Sequence, residues 1–312
     1  MGDWLTRERN VRICALLGAI TIAFSSILVR LSHASPSTAA IFRCVYALPA
    51  LGLLAWREDR RYGPRAWRDR RMALAAGVFF SADLILWHHS IGDVGAGLAT
   101  VLANIQVVLV PLVAWGILAE RPPDKVLVAV FVALGGVLLI SGVLEHGAYG
   151  RNPERGAIFG LSAGVAYVGF LMLLRRSGVD LRRPAGPLFD ATAVAAVLCV
   201  IAGSIIGDAR LVPSWPGAGW LITLALTSQI LGWLLITVSL PRMPAAFTSL
   251  TLTIQPVGSV GLAALIFGES PSALQLLGVA IVLGAVVAAS APRLRVARRR
   301  PDPEPVPEPA LD

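Results

Sequence analysis

The sequence has 312 residues, of which 56% are hydrophobic and 15% charged, and its mean hydropathy is +0.72. Because soluble domains carry about 25% charged residues, this composition excludes a soluble globular protein and indicates a protein embedded in a lipid bilayer. The formal net charge of +8 does not indicate nucleic-acid binding, since the basic residues lie in short clusters between apolar runs rather than on one face.

Ten apolar segments follow one another along the chain, each close to the length of about 20 helical residues that crosses a bilayer. They predict an all-α integral membrane protein with ten transmembrane helices. The predicted spans are residues 11–29, 36–56, 72–91, 95–118, 126–144, 156–174, 186–206, 216–240, 244–267 and 274–290.

The basic residues are distributed unevenly around these spans. With residues 1–10 placed in the cytoplasm, 21 Lys and Arg lie in the inner segments and four in the outer loops. Because cytoplasmic loops are enriched in Lys and Arg, we predict a multi-pass protein of the cell (inner) membrane with both termini in the cytoplasm. Residues 292–312, which hold five Arg and the segment PDPEPVPEP, are predicted to form a disordered cytoplasmic tail.

The chain matches itself at an offset of 149 residues. The 42 residues from Ala96 and the 42 from Ala245 are identical at 13 positions without a gap, including a Gln, a Glu, a Pro and a Gly. Shared apolar composition would not align these types together, so the match indicates a duplication. Each unit, residues 11–144 and 156–291, holds five spans, so the second unit must enter the membrane from the opposite side. Residues 145–155 are then an extracytoplasmic linker.

Two stretches, IQVVLVPLVAWGILAERP and IQPVGSVGLAALIFGESP, resemble the fourth and ninth helices, with their Glu-containing loops, of the EamA-type transporters of the drug/metabolite transporter superfamily. A third, SPSTAAIFRCVYALPAL, is similar to the second helix of that family, and the resemblance covers about residues 11–291. It implies ten helices in two five-helix units, cytoplasmic termini, and export or exchange of metabolites, without naming the solute. Val107 stands where the second unit has Pro256, so the kink expected in both central helices is predicted at Pro111 in the first.

In the third span, Asp83, Trp87 and Ser90 form one helical stripe that could face a central cavity. An ionisable residue inside a membrane is costly, and it indicates a functional site by default. Arg43 in the second span could form a structural ion pair with Asp83. Direct binding of the solute by Asp83 is an equally open interpretation.

The ninth span carries polar residues on one face, which lipid would penalise and a cavity would use. These residues are Thr248, Thr251, Gln255 and Ser259. The alternative is that such residues join helices through hydrogen bonds, as is common in membranes. Further candidates for the solute path are Asn104 and Gln106 in span four, Tyr167 in span six, and Gln229 and Trp233 in span eight.

Four other ionisable residues lie near the ends of spans. Glu120 and Glu269 occupy short turns on opposite sides of the membrane, and their position predicts helix capping rather than coupling. His88 and His89 could relay protons or could lie at the membrane interface.

Small residues in spans five and ten predict close helix packing; these are Gly135, Gly136, Gly284 and Ala285. The three cysteines lie in apolar runs without CxxC spacing, so neither a disulfide nor a metal site is predicted. They are Cys14, Cys44 and Cys199.

The expected function is that of a secondary transporter, because inverted units can supply an inward-open and an outward-open state of similar energy. No GxxxxGK[ST] phosphate loop is present, and no carboxylate, metal-ligand or Ser–His pattern indicates an enzyme or a cofactor. The alternatives are an intramembrane lipid-modifying enzyme and a membrane receptor or structural protein. The expected partners are the bilayer and a small-molecule solute, and monomer and homodimer both remain open.

Overall fold

The computed structural model describes residues 8–118, 124–178, 180, 182–212, 214–239 and 245–290, and this part of the chain is helical without strands. One segment, Ala225–Gly232, is a π-helix. The helices are α1 (Glu8–Ala23), α2 (Ser25–Leu31), α3 (Pro36–Tyr62), α4 (Trp67–Val94), α5 (Ala96–Ala103), α6 (Gln106–Leu118), α7 (Asp124–Ile140), α8 (Pro153–Ser177), α9 (Ala185–Ile206), α10 (Gly217–Leu224), α11 (Trp233–Ser239), α12 (Ala245–Phe267) and α13 (Ala273–Ser290).

Six helical stretches are long and apolar enough to cross a membrane, and shorter apolar helices accompany them. Together they make the chain a multi-pass membrane protein. The six are Asn10–Leu31, Pro36–Tyr62, Trp67–Val94, Pro153–Ser177, Ala185–Ile206 and Gly217–Ser239, and the shorter ones include Ala96–Leu109, Ile254–Phe267 and Ala273–Ala289.

The predicted fourth span is interrupted at a position that the sequence did not indicate. The break falls at Asn104 and Ile105, whereas α6 continues through position 111, where the predicted kink stays a prediction. Asn104 donates its side-chain amide to the carbonyl of Thr100 at 3.2 Å. The N–H of Ile105 bonds three residues back, to the carbonyl of Leu102, at 3.2 Å. A tight turn stabilised by a side-chain amide therefore replaces one turn of α-helix.

Helices α3 and α9 are held together by reciprocal caps. At one end of the pair, Glu58 of α3 accepts the backbone N–H groups of Ala185 and Gly186 at the start of α9, at 3.0 and 2.8 Å. At the other end, Asp208, just beyond α9, accepts the N–H of Ser37 at the start of α3, at 3.1 Å. A carboxylate satisfies the free N–H groups and the positive end of the helix dipole. Each helix therefore caps its neighbour, and the two helices run antiparallel.

Glu269 caps a helix, as predicted, but the helix is α5 of the first unit. Its carboxylate accepts the N–H groups of Ala96 and Gly97 at 2.8 and 3.3 Å. Glu269 pairs with Arg30 near the end of α2, and Asp208 bonds Ser37 at the start of α3, so both carboxylates lie at the same end of the bundle. We call this end the Glu269 face and the opposite end the Glu58 face. Glu120 lies outside the described residues.

Corresponding helices of the two units pack against each other: α3 against α9, α5 against α12, and α7 against α13. In the last pair, a Cβ on Gly136 would come within 2.8 Å of the carbonyl oxygen of Gly278, so these glycines allow close contact. Gly135 and Gly284 face open space, so the packing role predicted for those two is wrong. The predicted role of Gly136 is confirmed, with Gly278 as a partner that the sequence did not indicate.

Candidate functional site

A small cavity lies where helices of both units meet. Its volume is about 70 Å³, enough for several water molecules, since one water needs roughly 10–15 Å³. The lining contains seven of the nine residues predicted for the solute path, which are Asp83, Trp87, Asn104, Gln106, Tyr167, Trp233 and Gln255. It also contains Ser25, Arg43, Phe80 and Thr100.

Asp83 of α4 is the acidic residue of this cavity. It is 8% exposed, yet its carboxylate makes no hydrogen bond and no ion pair within 4.0 Å with any residue in the described ranges. The structural ion pair predicted between Arg43 and Asp83 is therefore not formed. A buried carboxylate without a hydrogen bond or a close ion pair is costly in free energy, which is the situation expected of a group that binds a ligand.

Arg43 of α3 is instead held by neutral groups. Its Nε donates to Oε1 of Gln229 at 2.9 Å, and its Nη1 donates to the hydroxyl of Ser25 at 3.0 Å. Within the part of the chain that the structure describes, Nη2 has no hydrogen-bond partner. The guanidinium carbon lies 5.8 Å from the centre of the Trp87 ring. Nη2 of Arg43 is thus available to the cavity, while Nε and Nη1 are held by their hydrogen bonds.

Gln229 does not line the cavity but orients Arg43. It lies in the π-helical segment, is fully buried, and donates its amide to the hydroxyl of Thr192 at 3.2 Å. A π-helical turn changes the direction in which side chains leave a helix, and such turns are frequent at functional sites. Sequence spacing assumes an unbroken α-helix, so it could not reveal this local change.

Aromatic rings form one wall of the cavity. Trp233 meets Tyr167 edge-on, with ring centres 5.9 Å apart, and meets Phe170 edge-on at 5.2 Å. Phe80 stacks on Phe170 at 4.3 Å. These ring contacts hold Trp233 and Tyr167 in place. The faces of their rings can attract a cation and can also pack against apolar groups.

The remaining predicted polar residues have three different outcomes. Gln106 lines the cavity with a buried Oε1 that no described group bonds, and Gln255 lines it from α12. Ser90 donates to the carbonyl of Gly156 at 2.8 Å and so joins helices rather than facing the cavity. The side chains of Thr248 and Thr251 lie outside what the structure describes.

The two histidines lie beyond the cavity, towards the Glu269 face. Nδ1 of His88 lies 2.5 Å from the carbonyl of Leu84, and its Nε2 is buried without a partner among the described residues. Nε2 of His89 lies 3.5 Å from a carboxylate oxygen of Asp208. His88 also lines a larger vestibule of about 370 Å³, which Arg30 and other residues of the Glu269 face complete. Proton relay by these histidines stays a prediction.

Comparison with known proteins identifies the family. No curated protein sequence matches the chain, whereas 27 chains of solved structures resemble its fold. One of them, described only as "Crystal structure of protein", is 14% identical with a TM-score of 0.59, and the match covers 94% of this chain and 100% of that one. A model of the EamA-like transporter family matches residues 11–142 and 154–291. The chain therefore belongs to the EamA-like transporter family.

Proposed function

We propose that the protein is a secondary transporter that carries a small solute across the cytoplasmic membrane by alternating access, as an exporter or exchanger. The observation that supports this proposal best is the cavity between the two units, whose lining includes the buried residues Asp83 and Arg43 without an ion pair between them. In this proposal ten spans form two inverted repeats, residues 11–144 and 156–291. The Glu58 face and both termini are in the cytoplasm.

The lining favours a solute that carries an ammonium group. Two acceptors lack a hydrogen-bond partner among the described residues, the carboxylate of Asp83 and Oε1 of Gln106, and they share the cavity lining with Trp87, Tyr167 and Trp233. Acceptors and aromatic faces together suit a cation with several N–H donors. Nη2 of Arg43 can donate to a carboxylate in the same cavity. A zwitterion such as an amino acid matches both groups.

An enzymatic role has less support. Members of this family are transporters, and the cavity presents one carboxylate and one guanidinium without a nucleophile and base pair among the described residues. A receptor role would leave the inverted arrangement of the caps at Glu58 and Asp208 without a use. A transporter would use both the charged groups of the cavity and this arrangement of the caps.

Purified protein in liposomes tests the proposal. We expect counterflow of at least one radiolabelled amino acid from a panel of amino acids, sugars and organic cations, at a rate well above that of empty liposomes. Repeating the assay with and without a pH gradient separates proton coupling from facilitated diffusion or exchange. No counterflow of any amino acid or amine by well-folded protein would contradict the proposed solute class. Uptake of a sugar alone would contradict it as well.

A further inference from the structure

A thin barrier separates the central cavity from the vestibule at the Glu269 face. Along α5, Thr100 lines the cavity and Gly95, at the start of the helix, lines the vestibule. Along α2, Ser25 lines the cavity, and Val29 and Arg30 line the vestibule. Four to five helical residues rise about 6 to 7.5 Å, so the barrier is little more than one helical turn thick on both helices.

The cavity side of this barrier is a layer of hydroxyl groups. The hydroxyl of Ser259 on α12 bonds to that of Ser26 on α2, and it lies 3.1 Å from the hydroxyl of Thr100 on α5. Just beyond, a Cβ on Gly97 would come within 2.9 Å of the Cα of Val260. Helices α2, α5 and α12 therefore meet here without room for a solute.

The vestibule side of the barrier is held by Glu269. Its carboxylate is buried, caps α5 through the N–H groups of Ala96 and Gly97, and pairs with the guanidinium of Arg30. The guanidinium carbon of Arg30 also lies 4.6 Å from the centre of the Phe267 ring. One carboxylate thus ties together the end of α2, the start of α5 and the end of α12.

The sequence leaves space for this carboxylate. Gly95 has a φ of +89°, which disfavours a side chain, and a Cβ there would come within 2.7 Å of a carboxylate oxygen of Glu269. A residue larger than glycine at position 95 would therefore displace the carboxylate of Glu269.

We propose that Glu269 and Arg30 form the gate that closes the central cavity at the Glu269 face. The gate holds α5 to α12 and α2 while the cavity is closed to this side. Separation of Glu269 from Arg30 and from the N–H groups of Ala96 and Gly97 opens a path of about 6 to 7.5 Å to the vestibule. This inference rests on the proposed alternating access, but its test needs no solute, so a failure to find transport would not conceal the result.

The test measures how fast a cavity cysteine reacts from the side that the Glu269 face meets. Ala103, a small residue of the lining, is replaced by cysteine after Cys14, Cys44 and Cys199 are changed to alanine. A membrane-impermeant maleimide is then added to that side alone. We expect slow labelling with the gate intact.

Glu269→Gln removes the negative charge with little change in shape, and we expect labelling at least about tenfold faster because the open state gains population. Arg30→Ala leaves the helix cap in place, and we expect a smaller increase. The matched control is Asp208→Asn, a cap at the same face that joins α3 to α9, and it should change the rate less than about twofold.

Unchanged labelling in both gate variants, in protein that elutes as a single species, would overturn the proposal. An equal increase in all three variants would also overturn it, because that result indicates general loosening of the bundle. If Glu269→Gln does not fold, Arg30→Ala decides the outcome alone.

Discussion

Asp83→Asn is expected to lower kcat/KM for the transported amino acid at least about 30-fold. In the proposed complex the solute ammonium has the Asp83 carboxylate as its charged partner inside a cavity of about 70 Å³. Loss of one partner from a buried charge pair costs about 2–5 kcal/mol, and 1.4 kcal/mol corresponds to a factor of ten. Counterflow in liposomes at several solute concentrations measures the change.

The same substitution should leave the protein at least as resistant to heat as the wild type. Asp83 has no hydrogen bond or ion pair with a described residue, so its replacement by a neutral amide removes a buried charge and breaks no such contact. Asp69→Asn in the first turn of α4 is the matched control, with transport expected to be normal. Wild-type transport by Asp83→Asn would show that this carboxylate does not bind the solute.

Arg43→Gln is expected to discriminate between an amino acid and the amine made from it by decarboxylation. If Nη2 of Arg43 binds the solute carboxylate, the variant should transport the amino acid at least about 30-fold less efficiently while transporting the amine as well as the wild type does. A general structural defect would lower both rates together, which matters because Arg43 also bonds Gln229 and Ser25. Competition between the two labelled solutes measures the ratio.

Arg176→Gln, an exposed change at the end of α8, is the control for this prediction and should leave the ratio unaltered. An equal loss for amino acid and amine in Arg43→Gln would restrict Arg43 to a structural role. The proposed solute class would then narrow to amines bound by Asp83.

The helical membrane architecture and half of the cavity lining were predictable from the sequence. Long apolar segments and the 149-residue offset predict helices and a duplicated unit, because both signals are local or repetitive in the chain. The stripe of Asp83 and Trp87 follows from helical spacing alone, and both residues line the cavity. Ser90 belongs to the same stripe but bonds Gly156, because contact with α8 decides its partner.

Features that depend on tertiary contacts were not predictable. The charge of Arg43 suggested Asp83 as its partner, but the π-helical segment presents Gln229 instead. The turn at Asn104 arises from a side-chain amide that competes with the backbone, which helix propensity alone does not reveal. Arg30 lies 239 positions from Glu269, and only the meeting of α2, α5 and α12 joins them.

Protection of a cavity cysteine by the solute tests the central claim most directly. With cysteine at position 103, an impermeant maleimide is applied to each side of the membrane in turn, with and without an amino acid that the protein transports. The account predicts labelling from both sides. On each side, the solute should slow the labelling, and the half-maximal effect should occur at a solute concentration near its KM. A cysteine that reacts from one side only, or at a rate that saturating solute does not change, would contradict a solute site between the two units.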